Sequence, residues 1–199
     1  MNRAVSHERP TNIGGFCFME LFLSFTPSEK TREVFLDAVR QAFDHADGEL
    51  HRYETLHSTL VYLGETDEAE LPNLRKIVGS VTERHHALPV EGDRVIVSHD
   101  TSIYGSWGLL YLWKKTPEVE DLFQDMVRTL TAAGYLENYN RDYLLHSTLY
   151  MTYFPREGSE EWTPDTPPVQ DCFDRVILYQ VTTIDGHVAY YPLYEAKLK

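Results

Sequence analysis

Apolar residues run almost unbroken from Phe16 to Phe25 (FCFMELFLSF), interrupted only by Glu20 and Ser24, which predicts a mostly buried strand. Thr26-Pro27-Ser28-Glu29 then has the form of a capping box with proline at the first helical position. Phe35, Val39, Ala42, Phe43 and Ala46 follow at helical spacing, so the helix extends to about Ala46, where Asp47-Gly48 ends it. A strand closing at Gly64 comes next, then an amphipathic stripe of Leu71, Leu74, Ile77, Val78 and Val81 with Pro72 near its start. Residues 90–99 and 106–115 read as strands around a turn, and 117–133 as a third helix with Gly134 just past its end. A further strand follows, then an acidic, proline-rich loop over 156–171. Val176–Thr183 and Val188–Ala196, joined at Asp185-Gly186, form a closing hairpin. Strand pairs recur without intervening helices, so the class is α+β with mostly antiparallel sheets.

Laid out this way, the chain repeats itself. His57-Ser58-Thr59-Leu60 stands inside ETLHSTLVYLGE, and His146-Ser147-Thr148-Leu149 inside LLHSTLYMTYF. Thr26-Pro27 precedes the first histidine by 31 residues, and Thr116-Pro117 precedes the second by 30. Before each Thr-Pro lies an apolar stretch, the second being WGLLYLWKK. The order strand, Thr-Pro helix, loop and His-x-Thr strand therefore occurs twice, which implies a duplicated unit with a pseudo-two-fold axis. With no composition shift inside 15–199, that segment is one bilobed domain, and residues 1–14 read as a flexible tail.

Composition narrows the partners. Eighteen basic against 31 acidic residues leave a formal charge of −13, which opposes binding of long nucleic acid. A small phosphate ester in a pocket stays compatible with that charge. Cys17 and Cys172 are too few for a disulfide framework and lack metal-ligand spacing; Cys17 reads as a small packed hydrophobe. There is no apolar run of membrane-spanning length and no signal-peptide core, so no membrane partner and a cytoplasmic location are expected. Neither a metal signature nor a phosphate loop occurs, and no cofactor is expected.

In a strand, residues two apart share a face. Each motif thus presents an imidazole and a hydroxyl side by side. Two such strands around one phosphate supply His57 and His146 as acid and base, in either assignment, and Thr59 and Thr148 as donors to the phosphoryl oxygens. Tyr150 falls on the same face as Thr148 by this alternation and is a candidate to stack on a base, with a core or rim position as the alternative. Tyr62 falls on the opposite face and reads as core. Trp162 reads as a loop anchor, with a lid as the alternative. Arg52 and Arg141 hold matching places before the motifs, where surface ion pairs are favoured over phosphate contact. His85 and His86 are too far apart around a helix end to chelate, and read as solvated; His7 and His45 read as surface positions.

The paired motifs resemble the two-histidine phosphoesterase superfamily, and HSTLVYLGE (His57 to Glu65) is similar to the branch of bacterial RNA 2′,3′-cyclic phosphodiesterases, once called 2′-5′ RNA ligases. The resemblance covers nearly the whole chain from Phe16. It implies a bilobed α+β fold with two antiparallel sheets facing a central cleft and helices outside. It also implies metal-independent hydrolysis of a small cyclic or short nucleotide phosphodiester: a 2′,3′-cyclic phosphate, or a 2′-5′ or cyclic oligonucleotide. The alternatives are an RNA-end phosphodiesterase and a protein that binds a nucleotide without turnover. Two departures stand out. The residue between His and Thr is usually apolar in that family but is Ser58 and Ser147 here, pointing away from the cleft. The arginine common shortly after the second motif is absent from Tyr150-Met151-Thr152-Tyr153, which leans toward a small, diffusible substrate.

Overall fold

A computed structural model describes residues 18–98, 107–137, 139, 143–184 and 186–199. The expected tail 1–14, Cys17, His7, Arg141, the turn over 99–106 and Asp185 lie outside the described residues. The elements are β1 (Phe18–Phe25), α1 (Glu29–Ala42), β2 (Ala46–Leu50), β3 (Ser58–Asp67), α2 (Leu71–Thr82), β4 (Leu88–Ser98), β5 (Trp107–Lys114), α3 (Pro117–Ala132), β6 (His146–Pro155), β7 (Gln170–Phe173), β8 (Arg175–Ile184) and β9 (His187–Lys197). All strand pairings are antiparallel, in the order β7-β4-β5-β6-β3-β1-β8-β9, with β2 added alongside β6.

The order is symmetric about the β3–β6 junction. Each half places its motif strand innermost and its paired strand (β1 or β5) next to it. The two expected sheets are continuous at a single pair, Ser58 with Ser147. Their hydroxyls lie 2.7 Å apart with both residues fully buried, and the Trp113 indole N–H donates to Ser147 Oγ at 3.2 Å. The unusual serines between His and Thr are therefore a polar clasp behind the cleft.

The helices cross between halves. α1 follows β1 yet packs on the other half, with Phe35 4.6 Å from the Tyr111 ring of β5. α3 follows β5 and packs on β3 and α2. One core forms between the helices and one face of the sheet, built from Leu21, Leu23, Phe25, Leu109, Tyr111, Leu122 and their neighbours. A smaller cluster of Phe22, Ile177 and Tyr179 lies apart from it, on the alternate residues of β1 and β8.

Local signals explain most helix ends and correct others. α3 is capped by Thr116 with Pro117 at its start, and Gly134 past its end has φ 84°. α1 is instead capped by Ser28, whose hydroxyl accepts from the Thr31 N–H, so Thr26 is not the cap. α1 also stops at Ala42, and Ala46–Leu50 is strand β2 rather than helix. The cause is Gly48: its φ of 145° brings the backbone so close to Thr152 that any Cβ would collide with that carbonyl. What reads as a helix stop is the close contact of β2 with β6. Within 156–171 most residues are loop as expected, but Gln170 and Asp171 begin β7.

The clasp sets a stability test. Ser58→Ala leaves Ser147 bonded to Trp113, whereas Ser147→Ala strands both the Ser58 hydroxyl and the indole N–H. Each stranded buried group costs about 1–3 kcal/mol. Urea unfolding will show Ser147→Ala as the more damaging change; equal losses would remove the clasp from the account.

Candidate active site

Both motifs carry a β-bulge at their fourth residue. On β3 the pairing with β1 skips Leu60, and on β6 the pairing with β5 skips Leu149. Strict alternation therefore holds through the threonines and then slips by one. Leu60 and Val61 are consecutively buried, as are Leu149 and Tyr150. The slip corrects two expectations. Tyr150 is 2% exposed, packed at right angles to Tyr153 in the core, and cannot stack on a ligand in this position. Tyr62, expected in the core, is 46% exposed and donates to Glu20 at 2.5 Å. Met151 takes the place expected for Tyr150, accepting from Tyr190 Oη at 3.7 Å.

The antiparallel pair Ser58–Ser147 sets what lies either side of it. One step each way, His57 stands opposite Thr148 and Thr59 opposite His146, all four partly exposed. The sequence-derived quartet is thus brought together across one strand junction. His57 Nδ1 lies 2.8 Å from the Thr55 carbonyl, and His146 Nδ1 lies 2.9 Å from the Leu144 carbonyl. A carbonyl only accepts, so each Nδ1 carries a proton and each neutral ring offers Nε2 as an acceptor. Both halves orient their imidazole through the carbonyl two residues upstream.

The two rings differ in their surroundings. His57 packs against Phe22 at 4.7 Å, His51 at 5.0 Å and Tyr190 at 5.1 Å. Burial, then the neighbouring His51, push its pKa down to about 3, against the pull of the Thr55 carbonyl; His146 adds a smaller depression. Burial lowers His51 to about 4, and lowers His146 as well. No carboxylate is among these causes.

Beside His57 opens a pocket of about 510 Å³ whose walls include His51, Arg52, Thr55, Met151, His187 and Tyr190. The motif side chains are its neighbours rather than its lining. Glu49 on β2 bonds His187 on the tip of the β8–β9 hairpin at 3.1 Å, which draws the hairpin over the pocket. Arg52 is exposed on this wall and, among the described residues, has no ion-pair partner, against the expected surface salt bridge. Sequence reasoning missed His51, Met151, His187 and Tyr190. One signal was available for His51, which matches Asn140 in the second repeat.

Other candidates lie elsewhere. Trp162 stacks on His45 at 3.9 Å and packs against the core, which makes it an anchor for the 156–169 loop and His45 a packed residue. His85, expected to be solvated, bonds Asp125 at 3.0 Å. Among the described residues no group of three His, Cys, Asp or Glu side chains is placed to hold a metal, and no helix is long and apolar enough to cross a membrane.

Neither a family model nor a curated protein sequence matches the chain. Solved structures do. TT0787 of Thermus thermophilus superposes with a TM-score of 0.71 at 16% identity, over 90% of this chain and 98% of that one. E. coli LigT complexed with 3′-AMP gives 0.68 at 18%, over 91% and 98%. A structure described as a phosphoesterase gives 0.64 at 17%, over 90% and 98%. The α+β fold expected from the resemblance to two-histidine phosphoesterases is the fold of this molecule.

The depressed histidines have a consequence for stability. An unfolded histidine takes its proton near pH 6.5, whereas folded His57 resists it until about 3. The unfolded state therefore binds more protons between those values, and stability is lost as pH falls through that window. Urea unfolding at pH 7 and 5 will show a loss on the order of 2 kcal/mol from His57. His57→Gln will flatten the pH dependence by that amount; an unchanged slope would contradict the assignment.

Proposed function

We propose that this protein is a phosphodiesterase that hydrolyses a small cyclic or short nucleotide phosphodiester by acid–base catalysis between His57 and His146. The observation that carries the reading is the matched pair of imidazoles, each held through Nδ1 to a backbone carbonyl two residues upstream, with Nε2 left as the acceptor, on strands that join at Ser58 and Ser147. One Nε2 takes a proton from water as the water oxygen bonds to phosphorus. The bond from phosphorus to the leaving oxygen breaks, and the other imidazole, protonated, gives its proton to that oxygen. Thr59 and Thr148 donate to the non-bridging oxygens, where negative charge grows.

Depressed pKa values add a requirement. With both rings neutral at pH 7, one must gain a proton before it can act as the acid. A phosphodiester anion between them favours that proton by direct attraction. Substrate binding and proton uptake are therefore one event.

A small substrate fits the charge of −13 and the pocket of about 510 Å³ beside His57. E. coli LigT has been crystallised with 3′-AMP, a nucleotide of that size, which supports the same class of ligand here. A 2′,3′-cyclic nucleotide is the first substrate to try, ahead of 2′-5′ and cyclic oligonucleotides.

Turnover of 2′,3′-cyclic AMP will persist in excess EDTA. His57→Ala and His146→Ala will each lower kcat/KM by about 10²–10⁴-fold, and Thr59→Ala or Thr148→Ala by on the order of 10²-fold. Full activity in either histidine variant would refute the mechanism. Calorimetry of 3′-AMP binding at pH 7 in two buffers of different ionisation enthalpy will show a proton taken up. Identical heats in the two buffers would break the link between binding and protonation.

A further inference from the structure

The bulges in β3 leave an aromatic ring on the cleft face of the sheet. Alternation along β1 is unbroken, so Phe18, Glu20, Phe22 and Ser24 share one face, and their partners on β3, Asp67, Glu65, Tyr62 and Thr59, share it with them. Thr59 belongs to the phosphate quartet, so Tyr62 lies on the floor that leads away from it. Phe22 beside it is covered by His57, Tyr179 and Tyr190, whereas Tyr62 is 46% exposed. Its hydroxyl donates to Glu20 at 2.5 Å, which fixes the far edge of the ring.

The repeat gives this position a counterpart. Tyr62 is the fifth residue after His57, and Met151 is the fifth after His146. Met151 lines the pocket of about 510 Å³ beside His57. β3 and β6 run antiparallel through Ser58 and Ser147, so the chain beyond Thr148 runs past His57 and the chain beyond Thr59 runs past His146. The pocket and Tyr62 therefore flank the quartet on opposite sides. Leu144, two residues before His146 and 51% exposed, adds a second apolar group on the Tyr62 side.

Spacing and charge identify the occupant. Thr59 and Tyr62 are separated by two regular strand steps and one bulged residue, about 7 Å, the reach of one nucleoside from its phosphate. Farther out on the same face Glu20 stands directly opposite Glu65, and Asp67 opposite Phe18. These carboxylates oppose a further phosphate, so the group that lands on Tyr62 is uncharged. A flat nucleobase meets both conditions, and an exposed aromatic face stacks any base.

We propose that Tyr62 is a base platform that gives the scissile phosphate a nucleoside seat on each side, and that the substrate class is a dinucleoside monophosphate, 2′-5′ or 3′-5′ linked. The inference rests on the phosphodiesterase reading above and names its substrate class. Water oxygen bonds to phosphorus, and its proton passes to one imidazole. The bond from phosphorus to one nucleoside oxygen breaks, and that oxygen takes a proton from the other imidazole. One nucleoside and one nucleoside monophosphate leave.

The test measures kcat/KM of the full chain for adenylyl-adenosine in each linkage and for 2′,3′-cyclic AMP, in wild type, Tyr62→Ala and Tyr62→Phe. Tyr62→Ala is expected to lower turnover of one linkage by about 10- to 100-fold, and that linkage is the substrate's. Tyr62→Phe keeps the ring and retains most of the activity. The cyclic mononucleotide has one base, which the pocket beside His57 takes, and loses no more than about twofold in Tyr62→Ala. Unchanged turnover of both linkages overturns the proposal. Equal losses for the dinucleotide and the cyclic nucleotide also overturn it, because a single seat would then serve both. If wild type turns over none of the three, the phosphodiesterase reading fails, and calorimetry of adenylyl-adenosine binding decides the seat: weaker binding to Tyr62→Ala upholds it, and equal binding overturns it.

Discussion

Everything distinctive in this fold depends on one buried contact, the hydroxyl pair of Ser58 and Ser147. Two halves, one of four strands and one of five counting β2, meet at that single backbone pairing. Because the serines point into the core, their neighbours on either side must point out of it. The register of one pair therefore delivers four candidate side chains to one place. Trp113 completes the clasp from β5, so the core of one half is bonded to the seam between both. A geometry involving two histidines and two threonines is thus specified by serines that take no part in the proposed chemistry.

Beyond that pair the strands separate, and the cleft results. β3 leaves β6 after one residue pair, and β2 fills the vacated edge from Leu50 onward. The bulges at Leu60 and Leu149 belong to the same event. By slipping the alternation, they send Val61 and Tyr150 into the core and free the Leu149 carbonyl to accept from His51. The pocket beside His57 follows from where β2 ends, with the Glu49–His187 pair drawing the last hairpin across it.

Much of this is legible in the residues, and the failures have physical causes. The repeat predicts the two motifs, their shared face and the antiparallel α+β class, because alternation and helical spacing are local properties. Alternation fails at a bulge, which leaves no signature in composition. Strict period-two reading therefore puts Tyr150 and Tyr62 on the wrong faces. It also carries α1 too far, because Asp47-Gly48 looks like a helix stop, whereas the glycine serves a contact with Thr152, distant in the chain. His51 escapes a sequence reading for the opposite reason. It belongs to neither motif, and its place beside His57 follows from where β2 ends.

In the proposed mechanism both imidazoles face one phosphate. Long-range ¹H–¹⁵N spectra of the histidine side chains, recorded while one equivalent of 3′-AMP is added at pH 7, test it directly. The account predicts that the Nε2 signals of His57 and His146 move together and saturate at the same ligand ratio, with one of them shifting toward the protonated range. A shift confined to one histidine, or to neither, while the nucleotide binds would contradict it.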